Sequence, residues 1–217
     1  KPVTSVAACT APLATMAWPK NSMLGLSEDD FTTEVRCQAG IPLTGVDVAL
    51  RDEQGHDVPW DGESMGNLLV RGPWVIDSYL HGDSPEQFTE DGWFRTGDVA
   101  IGSPNGYFVI ADRTKDLIKS GGEWISSVDM EAAIMGMPNV AEAAVVSIPD
   151  ARWGERPLAC VVPRDGTDIN LDQVREHLEK QGFAKWQLPD RVEIIEAVPK
   201  TTVGKFDKKV LRVRFPG

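Results

Sequence analysis

The chain has 217 residues, 41% hydrophobic and 25% charged, with a formal net charge of -11. That size and balance suit one large or two small globular domains, and the acidic surplus excludes general binding of nucleic acid on a basic face. No apolar run approaches the roughly 20 residues needed to cross a bilayer, so no transmembrane segment is expected.

The opening, Lys1-Pro2-Val3-Thr4-Ser5-Val6-Ala7-Ala8, has no initiator methionine and no basic-then-apolar leader, and reads as the middle of a longer sequence. Val46-Asp47-Val48-Ala49-Leu50 alternates as a half-buried strand does, and Arg51-Asp52-Glu53-Gln54-Gly55 turns the chain after it. Gly66-Asn67-Leu68-Leu69-Val70-Arg71-Gly72-Pro73 predicts a second strand with glycine at both ends, and Gly106-Tyr107-Phe108-Val109-Ile110 a third. Short strands broken by frequent turns predict a small β-barrel or sandwich, read as a β-barrel-like subdomain.

The second half changes character. Ser126, three residues before Asp129, predicts a capped helix start, and Pro138 closes that helix. Ala143-Ala144-Val145-Val146-Ser147-Ile148 and Leu158-Ala159-Cys160-Val161-Val162 predict buried strands. Leu171, Val174 and Leu178 share a helix face that ends before Gly182, and Arg191-Val192-Glu193-Ile194-Ile195 predicts another strand. The fold class is therefore α+β: the β-rich subdomain, then a small α+β domain with a three-stranded sheet flanked by helices. The boundary falls between Asp112 and Asp116, giving domains at 1–114 and 115–217.

Cys9, Cys37 and Cys160 are odd in number and far apart, which excludes a disulfide framework and fits reduced thiols in a cytoplasm. His56, His81 and His177 have no His or Cys near them at ligand spacing, so no metal site is expected.

Three segments carry chemistry. In Asp91-Gly92-Trp93-Phe94-Arg95-Thr96-Gly97-Asp98, a Gly-Asp pair at a turn can project a carboxylate, whose two acceptor oxygens suit a vicinal diol such as ribose; a plain turn aspartate is the other reading. From Asp112 to Ile125 charges crowd the boundary, and then Gly121-Gly122 permits close approach of a ligand to the backbone; a charged linker with a turn is the alternative. Last, the final twenty residues set Lys200, Lys205, Lys208, Lys209, Arg212 and Arg214 against one carboxylate, Asp207. Charge placed against the acidic trend marks either an anion site or the solvated end of a basic helix. In Thr201-Thr202-Val203-Gly204-Lys205, Gly204 lets the backbone turn and displays Lys205.

In this order the three segments resemble the adenylate-forming superfamily: acyl-CoA synthetases, firefly luciferases and the adenylation domains of peptide synthetases. Trp93-Phe94-Arg95-Thr96-Gly97-Asp98 is similar to its ribose-binding motif. Asp112-Arg113-Thr114-Lys115-Asp116-Leu117-Ile118-Lys119 through Met130-Glu131 is similar to its hinge motif, and Pro199-Lys200-Thr201-Thr202-Val203-Gly204-Lys205 to its catalytic-lysine motif. The resemblance runs from about Gly40 to Phe215. Ser120-Gly121-Gly122-Glu123-Trp124-Ile125-Ser126-Ser127 and Trp153-Gly154-Glu155-Arg156-Pro157 are most similar to bacterial medium- and long-chain fatty acyl-CoA ligases.

The resemblance implies two half-reactions: a fatty acid or other small carboxylic acid is adenylated by ATP, then the CoA thiol displaces AMP. It implies that Lys205 is catalytic in the first step, that Asp98 and Arg113 hold the nucleotide, and that Lys115 is the hinge between steps. Lys119, Gly121 and Gly122 would serve the second step, and Trp124 packs on the pantetheine arm or in the core. Lys208, Lys209, Arg212 and Arg214 attract the CoA phosphates or form a solvated helix face. The family's phosphate loop and its Tyr-Gly-x-Thr-Glu segment are absent from this sequence, and with them most of the acyl pocket and of the Mg2+ site. The implied protein is thus the C-terminal part of a ligase, inactive alone. The competing readings are an adenylation domain that loads an amino or aryl acid onto a carrier protein, and a non-catalytic folded fragment.

Overall fold

The computed structural model describes residues 5–6, 14–164, 167–202 and 204–216; Cys9, Val203 and most of the opening segment 1–8 lie outside the described residues. The chain divides into two compact units, Lys1–Thr114 and Lys115–Gly217. No helix among the described residues is long and apolar enough to cross a membrane.

The first unit holds two antiparallel sheets. Strands β1 (Ser5–Val6), β2 (Thr15–Met16) and β3 (Ile41–Pro42) form the small one, and the short helix α1 (Glu28–Phe31) lies between β2 and β3 in the chain. Strands β4 (Asp47–Arg51), β5 (Met65–Arg71), β6 (Phe94–Gly102) and β7 (Phe108–Arg113) form the larger, each paired to the next. Leu50, Leu68, Ala100 and Phe108 pack into its main core. Gly40 pairs with Phe108, at φ +102°, and a Cβ there would lie 2.1 Å from the Met16 carbonyl carbon. Only glycine fits so close an approach. The β-barrel-like expectation needs correction. Among the described residues β4 and β7 are the ends of an open sheet, and four strands are too few to close around a packed interior.

The second unit is built on one mixed sheet. Its elements are β8 (Ile118–Ser120), β9 (Glu123–Ile125), α2 (Ser127–Met135), β10 (Val140–Asp150), β11 (Gly154–Pro163), α3 (Leu171–Lys180), β12 (Arg191–Ile194) and α4 (Lys208–Arg214). The order is β10-β11-β8-β9, with β12 parallel to β11. Both faces are covered. Ala143, Val145, Ala159 and Val161 join Met130, Ile134, Val174 and Leu178 from α2 and α3 on one face. Ala144, Val146, Leu158 and Cys160 join Leu211 of α4 on the other. A strand buried on both sides reads as a continuous apolar run, as segments 143–146 and 158–162 do.

The helix ends follow local chemistry. The Ser126 hydroxyl accepts the Asp129 N–H at 3.1 Å, and α2 stops at Gly136, two residues short of Pro138. Asn170 and Gln173 form a reciprocal capping box at the start of α3, and Gly182 follows its end at φ +94°. The expected three-stranded sheet has five strands, because the hinge segment contributes β8 and β9. Three-residue strands are too short to show an alternation, yet Ile118 and Ile125 are fully buried and directly paired.

Arg156 ties the rim of this sheet together. Its guanidinium, almost wholly buried, donates to Asp190 (2.5 Å), the Ser120 hydroxyl (2.9 Å), and the carbonyls of Leu188 (2.7 Å) and Trp186. Removing one partner of such a network leaves the others desolvated and unpaired. Arg156→Ala is therefore expected to destabilise the second unit by about 3 kcal/mol, read as a lower urea midpoint at unchanged m-value; an unchanged midpoint contradicts this account.

Candidate functional site

Asp98 owes its position to an irregularity in the larger sheet. Asn67 pairs with Val99 and Leu69 with Arg95, so the single residue Leu68 faces Thr96, Gly97 and Asp98. The surplus residues bulge out of the ladder. Gly97 takes φ +76°, and the Thr96 hydroxyl locks the bulge by donating to the Leu68 carbonyl (3.0 Å) and accepting the Asp98 N–H (3.1 Å). Asp98 then lies opposite Arg113 of β7, with Nε 2.9 Å from Oδ1. The carboxylate is largely buried, whereas the guanidinium is mostly exposed. Burial pushes the Asp98 pKa up; the Arg113 charge and the Thr96 hydrogen bond pull against it.

The Gly121-Gly122 turn joins β8 to β9 with both residues in left-handed conformation, φ +63° and +91°. Lys119 and Trp124 face each other across the hairpin, and Trp124 is half-buried. The Lys119 N–H donates to the Glu155 carboxylate at 2.9 Å, and the Gly121 N–H to the Trp153 carbonyl at 2.8 Å. The Trp153 ring lies against the turn, where a Cβ on Gly121 would come within 2.9 Å of it, and Arg152 stacks over that ring at 4.5 Å. Sequence reasoning used Trp153 and Glu155 only as marks of relationship. The Trp-Gly-Glu-Arg cluster was the available signal that a second segment braces this turn.

Lys205 sits on a separate loop. Lys200 pairs with Phe206, the Thr201 N–H donates to the Lys205 carbonyl (2.7 Å), the Gly204 N–H donates to the Thr201 carbonyl (2.9 Å), and Gly204 has φ +82°. Lys205 is exposed, and among the described residues its ammonium has no ion-pair partner. Three of the other five tail cations differ; Lys209 and Arg214, within α4, have no ion pair among the described residues either. Lys200 pairs with Glu142 (2.5 Å), Lys208 with Glu131 (2.7 Å) and Arg212 with Asp116 (2.7 Å). The reading of Lys208 and Arg212 as a solvated face is thus corrected. A missed signal was that Lys208 and Lys209 open a helix, where the macrodipole disfavours cations. Lys115 is exposed in the turn before β8, and its carbonyl accepts from Arg212 at 3.0 Å.

The structure therefore brings Asp98 to Arg113, and Lys119 to Trp124 beside Gly121 and Gly122, while Lys205 stands on a loop of its own. No group of three or more His, Cys, Asp or Glu able to hold a metal ion occurs among the described residues. Cys160 is buried, which pushes its thiol up to about 12, so it stays protonated and unreactive.

A carboxyl whose pKa rises on folding lends stability that is complete below its unfolded pKa and lost as pH rises through its folded pKa. Asp98→Asn is accordingly expected to raise the urea midpoint at neutral pH, with a gain that shrinks as pH falls. Carboxyl-carbon NMR should place Asp98 above the ordinary aspartate range, and higher still in Arg113→Ala. Titration at or below that range would refute the burial argument.

Residues 129–205 match the family described as AMP-binding enzyme C-terminal domain. A long-chain-fatty-acid–CoA ligase of Thermus thermophilus is 47% identical over 208 residues, covering 95% of this chain and 38% of that protein. A 3-methylmercaptopropionyl-CoA ligase of Ruegeria lacuscaerulensis is 42% identical over 94% of this chain and 38% of its own length. The crystal structure of ATP-bound MatB from Rhodopseudomonas palustris aligns with a TM-score of 0.76 and 31% identity, over 94% of this chain and 39% of that one. The chain thus spans about two fifths of the length of the relatives it matches. It carries the AMP-binding enzyme C-terminal domain at residues 129–205 and is similar along nearly all its length to part of acyl-CoA ligases.

Proposed function

We propose that this chain is the C-terminal part of an ATP-dependent, AMP-forming acyl-CoA ligase acting on a fatty acid or similar carboxylic acid. In the first step a carboxylate oxygen attacks the α-phosphorus of ATP and pyrophosphate leaves. In the second the CoA sulfur attacks the acyl carbon and AMP leaves. The observation that carries the reading is Lys205: of the tail cations with no ion pair among the described residues, Lys209 and Arg214 lie within α4, while Lys205 is displayed on a hydrogen-bonded turn ahead of it.

The difficulty of the first step is bringing two anions together. An ammonium is a compact charge, present at neutral pH, that suits both phosphate and carboxylate oxygens. Lys205 bridges them and stabilises charge as it moves to the leaving pyrophosphate. Asp98 accepts the ribose hydroxyls, and the Arg113 charge opposes the effect of burial on that carboxylate. In the second step the Gly121-Gly122 turn, bare of side chains, lines the approach of the pantetheine thiol, with Lys119 and Trp124 beside it. Rotation at Lys115 exchanges one loop for the other. Magnesium, expected with ATP, finds no ligand set among the described residues.

In the full-length enzyme, Lys205→Ala is expected to lower ATP–pyrophosphate exchange about a hundredfold or more, while thioester formation from pre-made acyl-adenylate persists. Normal exchange by this variant would sink the assignment. Lys115→Pro fixes φ at the joint and should give the reverse pattern, with exchange retained and thioester formation lost. Equal loss of both half-reactions would rule out a hinge there.

A further inference from the structure

Lys205 is three residues from a charge buried with its partner. Lys208, the first residue of α4, points its ammonium inward to Glu131 Oε1 (2.7 Å) and the Ser127 hydroxyl (2.6 Å). The two charged side chains are 10% and 9% exposed. Glu131 is fixed from a second direction, since Oε1 also accepts the Val145 N–H of β10 at 2.7 Å. That N–H lies on the open edge of β10, the end strand of its sheet, so one carboxylate ties α2, a sheet edge and α4 together.

Between this anchor and Lys205 there is little slack. The Asp207 N–H donates to the Pro199 carbonyl (2.7 Å), and the Asp207 side chain caps α4. The Lys205 carbonyl and N–H are both engaged by Thr201. Upstream, Lys200 pairs with Glu142, but those side chains are 46% and 30% exposed, so that pair is screened and weak. A buried ion pair contributes little net stability over an apolar pair of the same shape; its best-attested use is to impose one geometry.

We propose that the Glu131–Lys208 pair is the positioning device for Lys205, setting the height and direction of its loop for adenylation. This rests on the adenylation role proposed for Lys205. Neither residue touches substrate; both act through the loop. Displacement of a reacting group by about an ångström lowers rates on the order of a hundredfold, with binding little changed.

The test separates the half-reactions in the full-length enzyme. Lys208→Met is expected to lower kcat of ATP–pyrophosphate exchange about tenfold to a hundredfold, with KM for ATP and thioester formation from pre-made acyl-adenylate near parental values. Lys208→Arg, which keeps charge and donors, should recover most of kcat. Glu131→Gln keeps a carbonyl acceptor for the Val145 N–H and should reproduce the Lys208→Met pattern, which serves if Lys208→Met does not fold. Full adenylation kcat in a folded Lys208→Met or Glu131→Gln variant overturns the proposal, as does equal loss of both half-reactions. Lys205→Ala is measured alongside. If it adenylates normally, the role of Lys205 itself fails. If it is inactive while Lys208→Met is unimpaired, only the positioning fails.

Discussion

The second unit depends on a sheet that is apolar on both faces. With Ala143 and Val145 facing one helix layer and Ala144 and Val146 the other, the centre of β10 has no solvated side on which to carry a charge. Charged groups are driven to the rim and to the loops, and those that stay inside must bring their partners with them. Arg156 and Glu131 are the two solutions. Each satisfies several donors or acceptors at once, and each joins segments far apart in sequence. Much of the polar structure of this unit is a consequence of where the sheet leaves room for charge.

The first unit poses the opposite problem. Asp98 sits in a place that disfavours charge, an effect opposed there by the Thr96 hydroxyl of the bulge and by one guanidinium at 2.9 Å. Such an arrangement works against stability at neutral pH, and strained or electrostatically costly positions of this kind gather at functional sites. Arg113 gains little from burial, since its own side chain is mostly exposed. It serves as a local counter-charge to Asp98 Oδ1.

Much of this was legible in the sequence, for stated physical reasons. Segment 171–180 has a full amphipathic face with a cap at each end, and α3 occupies it residue for residue. The runs at 143–148 and 158–162 lie within β10 and β11, because burial on both faces leaves an unbroken apolar signature. Strands β8 and β9 were not legible: three residues are too few for a period, and their pairing is fixed by Ile118, Ile125 and the distant Glu155. The same holds for Lys208. Its partner Glu131 is 77 positions earlier, and nothing local distinguishes a cation aimed inward from one aimed at water.

The two glycine loops of the second unit share a construction that bears on the proposed chemistry. Each uses glycine at positive φ, each sits between paired segments, and each is braced from outside: Gly121 by Trp153, the Lys205 loop by Glu142 and Glu131. Loops held this way do not rearrange at little expense, because moving either means breaking several hydrogen bonds or an ion pair at once. If both serve one reaction in succession, on the function proposed above, the exchange between them falls to the unit as a whole and so to a joint outside its sheet. The exposed turn at Lys115 has the required character. Its side chain is unburied, and the Arg212 guanidinium that grips the Lys115 carbonyl and Asp116 marks where the fixed part of the unit begins. On the function proposed above, rigidity at both loops calls for a hinge at the boundary, and Glu131 is the buried anchor nearest the Lys205 loop.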